Sequence, residues 1–544
     1  MCAATLLIGM AWILILPPFE GFDETAHYSA VREVSDMHAW PRYGQSRIAT
    51  VVEGYGAQAP LPHMQQHGVQ LARPMSYRDF MQDGDARRAF SADFASAPRL
   101  PRRFEPGGSV NWQAQHPPLY YAALAPLMRA TDGFSLVAQL MVLRAVSWMM
   151  AVSGLVIGVW GTARYLRRQG CSRLAPASVD GCGAATASAC LAYPLFVPMF
   201  FPEFARLGND ALCLLVFGAS WALLLSMLDR GPSLWRATAL GTCLGAGLLA
   251  KAFFVPILAG VLGCLAWSAW TRRAHDAVPA RAARDIATIA IVALAIGGWW
   301  YASAYMRHGA LSGSHDLISL DRGGGLLAGL REHFAWQHVA RGVAAFVVTA
   351  YFAGTWTLAR LPEWLYAPGL LALALLCIAA LRTPRDAGIR RVMAAMLWVL
   401  LPMLAGFGYY LLSRIAGGSG GHGAPGWYVS ILAPACAVPL AVGMIAVMRW
   451  PRAAWLGPAM WLWMIGFAAI SYWLHAALYA GLAVKDMETR HLVCPDGWLS
   501  LLDVASMRES LATFGWPAAS ALCMAVGMLL ALVAMPGRAI RQRA

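Results

Sequence analysis

Four ionisable side chains lie within eight residues of one another, directly after the first apolar run of the sequence. They are Glu20, Asp23, Glu24 and His27, in the segment PPFEGFDETAHYSAVREV. Asp23 and His27 are four residues apart, so they share a face where this segment is helical. Carboxylates beside a membrane can serve as a general base or bind a divalent cation. A polar cap that ends the preceding helix explains the same residues, and both interpretations remain open at this point.

A second polar segment, NWQAQHPPLYYAALAPL, contains His116 directly before two prolines. The prolines fix an extended chain, and the tyrosines Tyr120 and Tyr121 suit a membrane interface. An interfacial anchor accounts well for the tyrosines and less well for His116.

Further charged residues lie near the ends of apolar runs. The segment FPEFARLGNDAL contains Glu203, Arg206, Asn209 and Asp210, and Lys251 stands between two apolar runs. Charges at membrane depth are costly, which makes each a candidate functional residue. A lysine there could hold a lipid phosphate as a point charge. For Arg206 and Lys251 the alternative is a structural ion pair or a side chain that reaches the interface.

His422 lies in the glycine-rich segment GGSGGHGAPGWYV, which precedes an apolar run. Such a loop could cover a site, and a plain connection is an equally good interpretation. The sequence contains no GxxxxGK[ST], HExxH or GxSxG motif. Soluble nucleotide chemistry therefore has no visible site, and a donor substrate would have to come from the membrane.

The composition indicates that the chain is a polytopic, all-α membrane protein. Of 544 residues, 59% are apolar and 13% charged, and the mean hydropathy is +0.52, whereas globular chains carry roughly a quarter charged residues. A spanning helix needs about 20 apolar residues. About twelve candidate spans follow: 3–19, 135–163, 183–201, 209–228, 237–250, 252–271, 285–304, 365–382, 391–412, 426–448, 455–480 and 513–536.

The charge pattern predicts the orientation of these spans. The net charge is +14, and arginine clusters follow every second span and end the chain. The positive-inside rule places these clusters and both termini on the cytoplasmic side of the membrane, so the excess does not indicate nucleic acid. The chain then forms one membrane domain, 1–544, with outer loops at 20–134, 305–364 and 481–512. The first apolar run follows Met1 without a basic region and is interpreted as a spanning helix, not a signal peptide.

Residues 340–355 are apolar enough to suggest a thirteenth span. A crossing there would move the arginines of 382–391 to the outside and invert every later loop. We therefore expect a helix in the outer interface of the membrane.

Six motifs, in order along the chain, resemble the GT-C superfamily of polytopic glycosyltransferases. The closest pattern is a bacterial membrane family related to protein-mannosyltransferase and aminoarabinose-transferase enzymes. The motifs are FDETAHYSAVREV, HPPLYYAAL, GNDALCLL, LLAKAFFVPILAG, WWYASAYMRHGALSGS and FAGTWTLARLPEWLY.

Two segments depart from the family pattern. The family often has Gly-Arg-Tyr where this chain has Gly426-Trp427-Tyr428, so a phosphate-binding arginine is missing here or replaced by Arg414 or His422. An Arg-Asn pair of the family is replaced around Arg307 and His308.

The resemblance implies a GT-C-like bundle in a bacterial inner membrane, with its outer loops in the periplasm. Such a bundle would move a sugar from a polyprenyl-phosphate donor to a lipid, glycan or protein acceptor, with inversion. The resemblance implies that Asp23 is the general base. It also implies that Glu24 and His27 orient the acceptor or ligate a divalent metal, the one cofactor considered.

The remaining site residues follow from the same resemblance. Residues that would bind substrate in the outer cavity are His116, Tyr120, Asp210 and His422. Lys251 and Arg206 would neutralise the donor phosphate, whose charge grows as it leaves.

Two other functions use the same features. A transporter or flippase of lipid-linked saccharides needs a charged cavity without chemistry, but transporters often contain internal repeats, and none is visible in this sequence. A non-catalytic protein of envelope assembly has no need for an acidic pair beside the membrane.

Overall fold

The computed structural model describes residues 1–61, 75–169, 187–271, 278–309, 325–382, 387–420, 425–451 and 455–535. Within these ranges the protein is built from helices, with two small antiparallel strand pairs. Eight helical segments are long and apolar enough to cross a membrane: Leu136–Arg168, Asp210–Arg230, Phe254–Thr271, Ala280–His308, Glu363–Arg382, Ala387–Ala416, Gly426–Met448 and Leu456–Tyr479. The expected all-α polytopic class is confirmed, and the expected number of about twelve spans is not.

Three other predicted spans correspond to shorter helices. Helices Cys2–Ile15, Leu234–Leu248 and Pro517–Val533 occupy the predicted spans 3–19, 237–250 and 513–536. With 14 to 17 residues each, they are shorter than the roughly 20 that a perpendicular crossing needs.

The prediction of one continuous helix over 183–201 is wrong for the part described. Helix Tyr193–Phe196 is followed by a separate helix, Phe200–Phe204. Pro194 and Pro198 fall in this stretch, and Pro202 follows it directly. Each proline removes a backbone donor and disfavours helix in the residue before it, so an apolar composition does not suffice for a continuous helix here.

The predicted first outer loop, 20–134, folds into short elements without a span among its described residues. Strands Arg47–Ala49 and Pro106–Val110 pair antiparallel with an irregular register. The helices, including one π-helix and one 3₁₀ turn, are Glu24–Met37, Thr50–Gln58, Tyr77–Gln82, Gly84–Phe90, Ser91–Ala95, Trp112–Gln115 and Leu119–Ala130.

The other two predicted outer loops also contain short elements. In the second are helices Gly325–His333 and Trp336–Tyr351, and in the third are strands Val484–Lys485 and Leu492–Val493 with helices Trp498–Leu502 and Val504–Leu511. Helix Trp336–Tyr351 has 16 residues and is not among the helices that could span. Its place in the outer interface stays a prediction.

Small residues let two central helices cross in close contact. Helices Leu136–Arg168 and Asp210–Arg230 pack along each other. A Cβ atom on Gly218 would lie 1.9 Å from the carbonyl oxygen of Gly154, so neither position has room for a side chain. Such small-residue contacts are typical of helices packed in membranes. The crossing fixes the position of helix Asp210–Arg230 along helix Leu136–Arg168, which carries Arg144.

Candidate active site

Asp23 lies in a strained turn at the start of helix Glu24–Met37. Its φ angle is +56°, in the left-handed region that residues other than glycine rarely adopt. The indole Nε1–H of Trp112 donates to Asp23 Oδ1 over 2.7 Å. Asp23 retains 9% exposure, whereas Glu24 beside it has none. Such strain is often found where a functional side chain must be held in one direction.

Glu24 forms a buried ion pair with Arg144. Arg144 donates from Nε and Nη2 to the two carboxylate oxygens over 2.8 and 2.5 Å. The same guanidinium binds the carbonyl oxygens of Leu16 and Pro17, where the first helix has ended. The backbone N–H of Leu207 also donates to Glu24 Oε1, over 2.9 Å. Glu24 therefore joins three segments of the chain.

These contacts bear on the expected metal. Both oxygens of Glu24 are already bound by a cation, and His27 Nδ1 lies 3.0 Å from the hydroxyl of Tyr121. Among the described residues there is no group of three or more His, Cys, Asp or Glu side chains that could hold a metal ion. Glu24 and His27 do not fit a metal site in this arrangement.

Two histidines stack next to Asp23. The rings of His27 and His116 are nearly parallel, with centroids 6.3 Å apart. Burial, followed by the nearby Arg206, lowers the pKa of His27 well below its ordinary value. Burial and the Lys251 cation lower the pKa of His116 to about 3. Both imidazoles are therefore neutral at pH 7. A neutral imidazole has one nitrogen that donates a hydrogen bond and one that accepts, and either can bind a hydroxyl group.

The predicted charges Arg206, Asp210 and Lys251 form one connected cluster with Glu203. Arg206 Nη2 lies 2.5 Å from Glu203 Oε1 and 2.9 Å from Asp210 Oδ2. Lys251 Nζ donates to both oxygens of Asp210, over 2.8 and 3.0 Å. All four side chains are buried. Each cation of the cluster is bound by a carboxylate, as in a structural ion network. The same two cations are the candidate binding site for a phosphate.

The ion cluster is joined to the Asp23 turn by one hydrogen bond. Arg206 Nη1 donates to the carbonyl oxygen of Phe22 over 2.8 Å. Two glycines leave room for this arginine: a Cβ on Gly21 would lie 2.4 Å from Arg206 Cβ, and one on Gly208 would lie 2.1 Å from its Nη1. Asp23 thus follows directly after a residue that the cation cluster holds.

Lys251 occupies a break between helices Leu234–Leu248 and Phe254–Thr271. Three donors hold the break open by binding the carbonyl oxygens of residues 248, 249 and 250. They are the Tyr301 hydroxyl, the Leu119 N–H and the Asn209 side-chain amide. Because unpaired carbonyls at a helix end need partners, these contacts stabilise the turn that directs Lys251 towards Asp210.

Aromatic residues cover the cluster at the segment where this chain departs from the Gly-Arg-Tyr pattern. Trp427 stacks on Phe22 with ring centroids 4.4 Å apart. Lys251 Nζ lies 4.2 Å from the ring centroid of Tyr428. The residue at the arginine position thus packs against the Asp23 turn, and its neighbour binds the lysine by a cation–π contact.

The remaining predicted residues differ in position. The Tyr120 hydroxyl lies 2.8 Å from Ser147 Oγ and is buried, so it joins two helices. Glu20 is bound by the side chains of Tyr77, Thr355 and Thr357 and links the first and second outer loops. His422 lies outside the described residues.

The sequence interpretation missed two residues that shape the site, Arg144 and Trp112. Arg144 stands inside a long apolar helix, and a lone charge at such a position was itself a signal of a buried partner. Trp112 had no comparable signal, because an indole donor becomes informative only once its acceptor is known.

Comparisons with known proteins give distant similarities. No protein-family model matches the sequence, and no curated protein matches it. Two of the solved structures that match are crystal structures of ArnT from Cupriavidus metallidurans. The one bound to undecaprenyl phosphate is 14% identical, with a TM-score of 0.46, and the match covers 98% of this chain and 76% of that chain. The apo structure is 14% identical, with a TM-score of 0.40 and coverages of 85% and 72%. Neither similarity is high enough to assign this chain to a family.

Proposed function

We propose that this protein is a GT-C-type glycosyltransferase that moves a sugar from a polyprenyl-phosphate donor to an acceptor hydroxyl. One observation supports this proposal above others. Asp23, held in a strained and slightly exposed turn, directly follows Phe22, to which the Arg206–Asp210–Lys251 cluster is hydrogen-bonded. A base and a group of cations thus lie side by side at one end of an apolar helix bundle.

In the proposed reaction Asp23 is the general base. Its carboxylate accepts the proton of the acceptor hydroxyl as the oxygen forms a bond to the anomeric carbon of the sugar. The bond between that carbon and the phosphate oxygen breaks, and a single displacement of this kind inverts the anomeric centre. The Trp112 N–H bound to one carboxylate oxygen fixes the direction of the group. Glu24, bound to Arg144, holds the turn in place.

Lys251 and Arg206 stabilise the polyprenyl phosphate as it leaves. Cations that are already oriented towards a developing negative charge usually contribute most to the stabilisation of the transition state. Burial raises the pKa of Glu203 to about 7, against the effect of Arg206. When Glu203 is protonated, the cluster of two cations and Asp210 carries one net positive charge and attracts a phosphate.

The neutral histidines and the cluster suggest how substrates are placed. His27 and His116 hydrogen-bond the hydroxyl groups of the acceptor or of the transferred sugar, and Asp210 orients Lys251. The acceptor is a lipid, glycan or protein that carries a free hydroxyl. In the proposed orientation, with arginine-rich loops in the cytoplasm, the reaction takes place on the periplasmic face of the inner membrane.

A transfer assay tests this function. Membranes that supply acceptors are mixed with the purified protein and with polyprenyl-phosphate sugars, and released polyprenyl phosphate is measured by mass spectrometry. We expect Asp23→Asn to lower the rate by about 100- to 10,000-fold, the usual value of a general base. Asp93→Asn, which changes an exposed carboxylate of the same loop, should leave the rate unchanged. Equal rates for wild type and Asp23→Asn would exclude Asp23 as the base.

A further inference from the structure

A cavity lined by arginines lies at the opposite end of two helices that build the candidate active site, Leu136–Arg168 and Asp210–Arg230. Its volume is about 450 Å³, within the range of about 300–1,000 Å³ for ligand sites. Helix Asp210–Arg230 begins in the ion cluster and ends at this cavity. At 1.5 Å per residue the two ends are about 30 Å apart, the thickness of the hydrocarbon core. The cavity therefore faces the other leaflet of the membrane.

The charge of the cavity is strongly positive. Four arginines line it, Arg164, Arg168, Arg230 and Arg236, together with a single acidic residue, Asp229. Asp229 binds one of the arginines, Arg168, over 3.1 Å. The lining thus carries a clear excess of cations that no lining carboxylate balances.

The wall of the same cavity is apolar and membrane-facing. Ile157, Trp160 and Leu223 line it, and Trp235 stands at its edge. Trp160 and Trp235 are 56% and 71% exposed. Exposed tryptophans of this kind are typical of the boundary between acyl chains and headgroups. Arg164 lies over the Trp160 ring, 5.1 Å from its centroid, so the charged and apolar surfaces adjoin.

We infer that this cavity binds the headgroup of an anionic glycerophospholipid of that leaflet. The arginines meet the phosphate, and the acyl chains lie along the apolar wall. Basic pockets between membrane helices are known to favour anionic headgroups. A free phosphate would satisfy the arginines but would leave the tryptophans and aliphatic side chains without a partner, so the lipid is the better match. In the proposed orientation this is the cytoplasmic leaflet, and the inference does not depend on the transfer reaction.

Native mass spectrometry of the full chain in detergent tests the site. Phosphatidylglycerol, phosphatidylethanolamine and inorganic phosphate are titrated separately into wild type and variants. We expect wild type to retain phosphatidylglycerol selectively. Arg164→Gln/Arg236→Gln should bind it about thirtyfold more weakly, from the usual contribution of two arginines near a lipid surface. The matched control is Arg390→Gln/Arg391→Gln, which removes the same charge from exposed positions at the start of helix Ala387–Ala416 and should bind as wild type does.

A second variant separates shape from charge. Ser226 lines the cavity, so Ser226→Trp fills it without changing any charge, and it should also lose the lipid. Melting temperatures in detergent identify any variant that fails to fold. The inference is overturned if both variants fold and retain phosphatidylglycerol as wild type does. It is also overturned if phosphatidylethanolamine binds equally well, or if inorganic phosphate binds with the same dependence on the variants.

Discussion

At the scale of single residues, the two neighbouring carboxylates after the first helix have different environments. Glu24 is fully buried and bound by Arg144 through both oxygens. Asp23 keeps some exposure in a left-handed turn. The sequence identified both as candidates, but only the tertiary contacts tell them apart, because Arg144 is 120 residues away along the chain.

Removing one partner of the Glu24–Arg144 pair should destabilise the protein strongly. We expect Glu24→Ala or Arg144→Ala to cost about 3–5 kcal/mol of unfolding free energy, since each leaves a buried charge without its partner. The double variant Glu24→Leu/Arg144→Met should recover much of the loss. The measurement is the thermal transition in detergent.

The exposed pair of Arg78 and Asp496 provides the matched control. Its side chains are 26% and 57% exposed, and such pairs contribute at most about 1 kcal/mol. If Glu24→Ala were as mild as Asp496→Ala, the structural role of the buried pair would be contradicted.

His116 should make stability depend on pH. Its pKa of about 3 lies below the ordinary value of 6.5 because of burial and Lys251. Between these two values the unfolded chain binds a proton that the folded protein does not, so stability falls as the pH decreases. When the pH is lowered from about 7 to about 4, we expect the melting temperature of His116→Gln to decrease less than that of wild type. Identical losses in the two proteins would contradict the assigned environment.

Glu203 should control the affinity for a lipid phosphate. Its raised pKa, about 7, means that the ion cluster gains a net positive charge as the pH falls through neutrality. The affinity for polyprenyl phosphate at about pH 6, divided by the affinity at about pH 8, should be larger for wild type than for Glu203→Gln, which has no titrating carboxyl at this position. The ligand's own titration cancels because both proteins bind the same molecule. If Glu203→Gln kept the wild-type pH dependence of the dissociation constant, Glu203 would not be the titrating group.

At the scale of elements, apolar runs predicted the positions of helices well. The predicted spans 135–163 and 209–228 begin one residue before helices Leu136–Arg168 and Asp210–Arg230 and end inside them. Apolar composition did not predict the break within 183–201, where the prolines decide the backbone. The apolar runs placed Lys251 between two spans, but they did not predict that the carbonyl groups of this turn are bound from three other segments. Breaks of this kind depend on long-range donors, which periodicity does not reveal.

Helix Trp336–Tyr351 provides a test of the topology. If the helix does not cross the membrane, cysteines placed at Glu332 and Glu363, which are exposed on its two sides, should react with an impermeant thiol reagent from the same face. A cysteine at Arg167, exposed at the far end of helix Leu136–Arg168, should react only from the other face. Labelling of positions 332 and 363 from opposite faces would show that the helix spans and would invert the orientation of the later helices.

At the scale of the whole molecule, the candidate active site is assembled from distant parts of the chain. Arg206 reaches Phe22 across 184 positions, and Lys251 reaches Asp210 across 41. The sequence indicated the types of these residues, and its charge pattern predicts the side of the membrane on which they lie. It could not indicate that Glu203 and Asp210 would form ion pairs with these cations, because the pairing follows from tertiary packing. Positive charge therefore differs between the two ends: acidic residues balance it at the candidate active site, whereas it is in excess in the opposite cavity.

The central claim is that Asp23 performs chemistry on a donor that the cation cluster binds. It is tested most directly by single-turnover release of polyprenyl phosphate from donor already bound to the purified protein, started by adding membranes that supply the acceptor hydroxyl. Wild type should release it, and Asp23→Asn should bind the donor with unchanged affinity but release it at least about 100-fold more slowly. Release by Asp23→Asn at the wild-type rate would contradict the claim. So would wild-type protein that carries intact donor across a vesicle membrane without cleaving it.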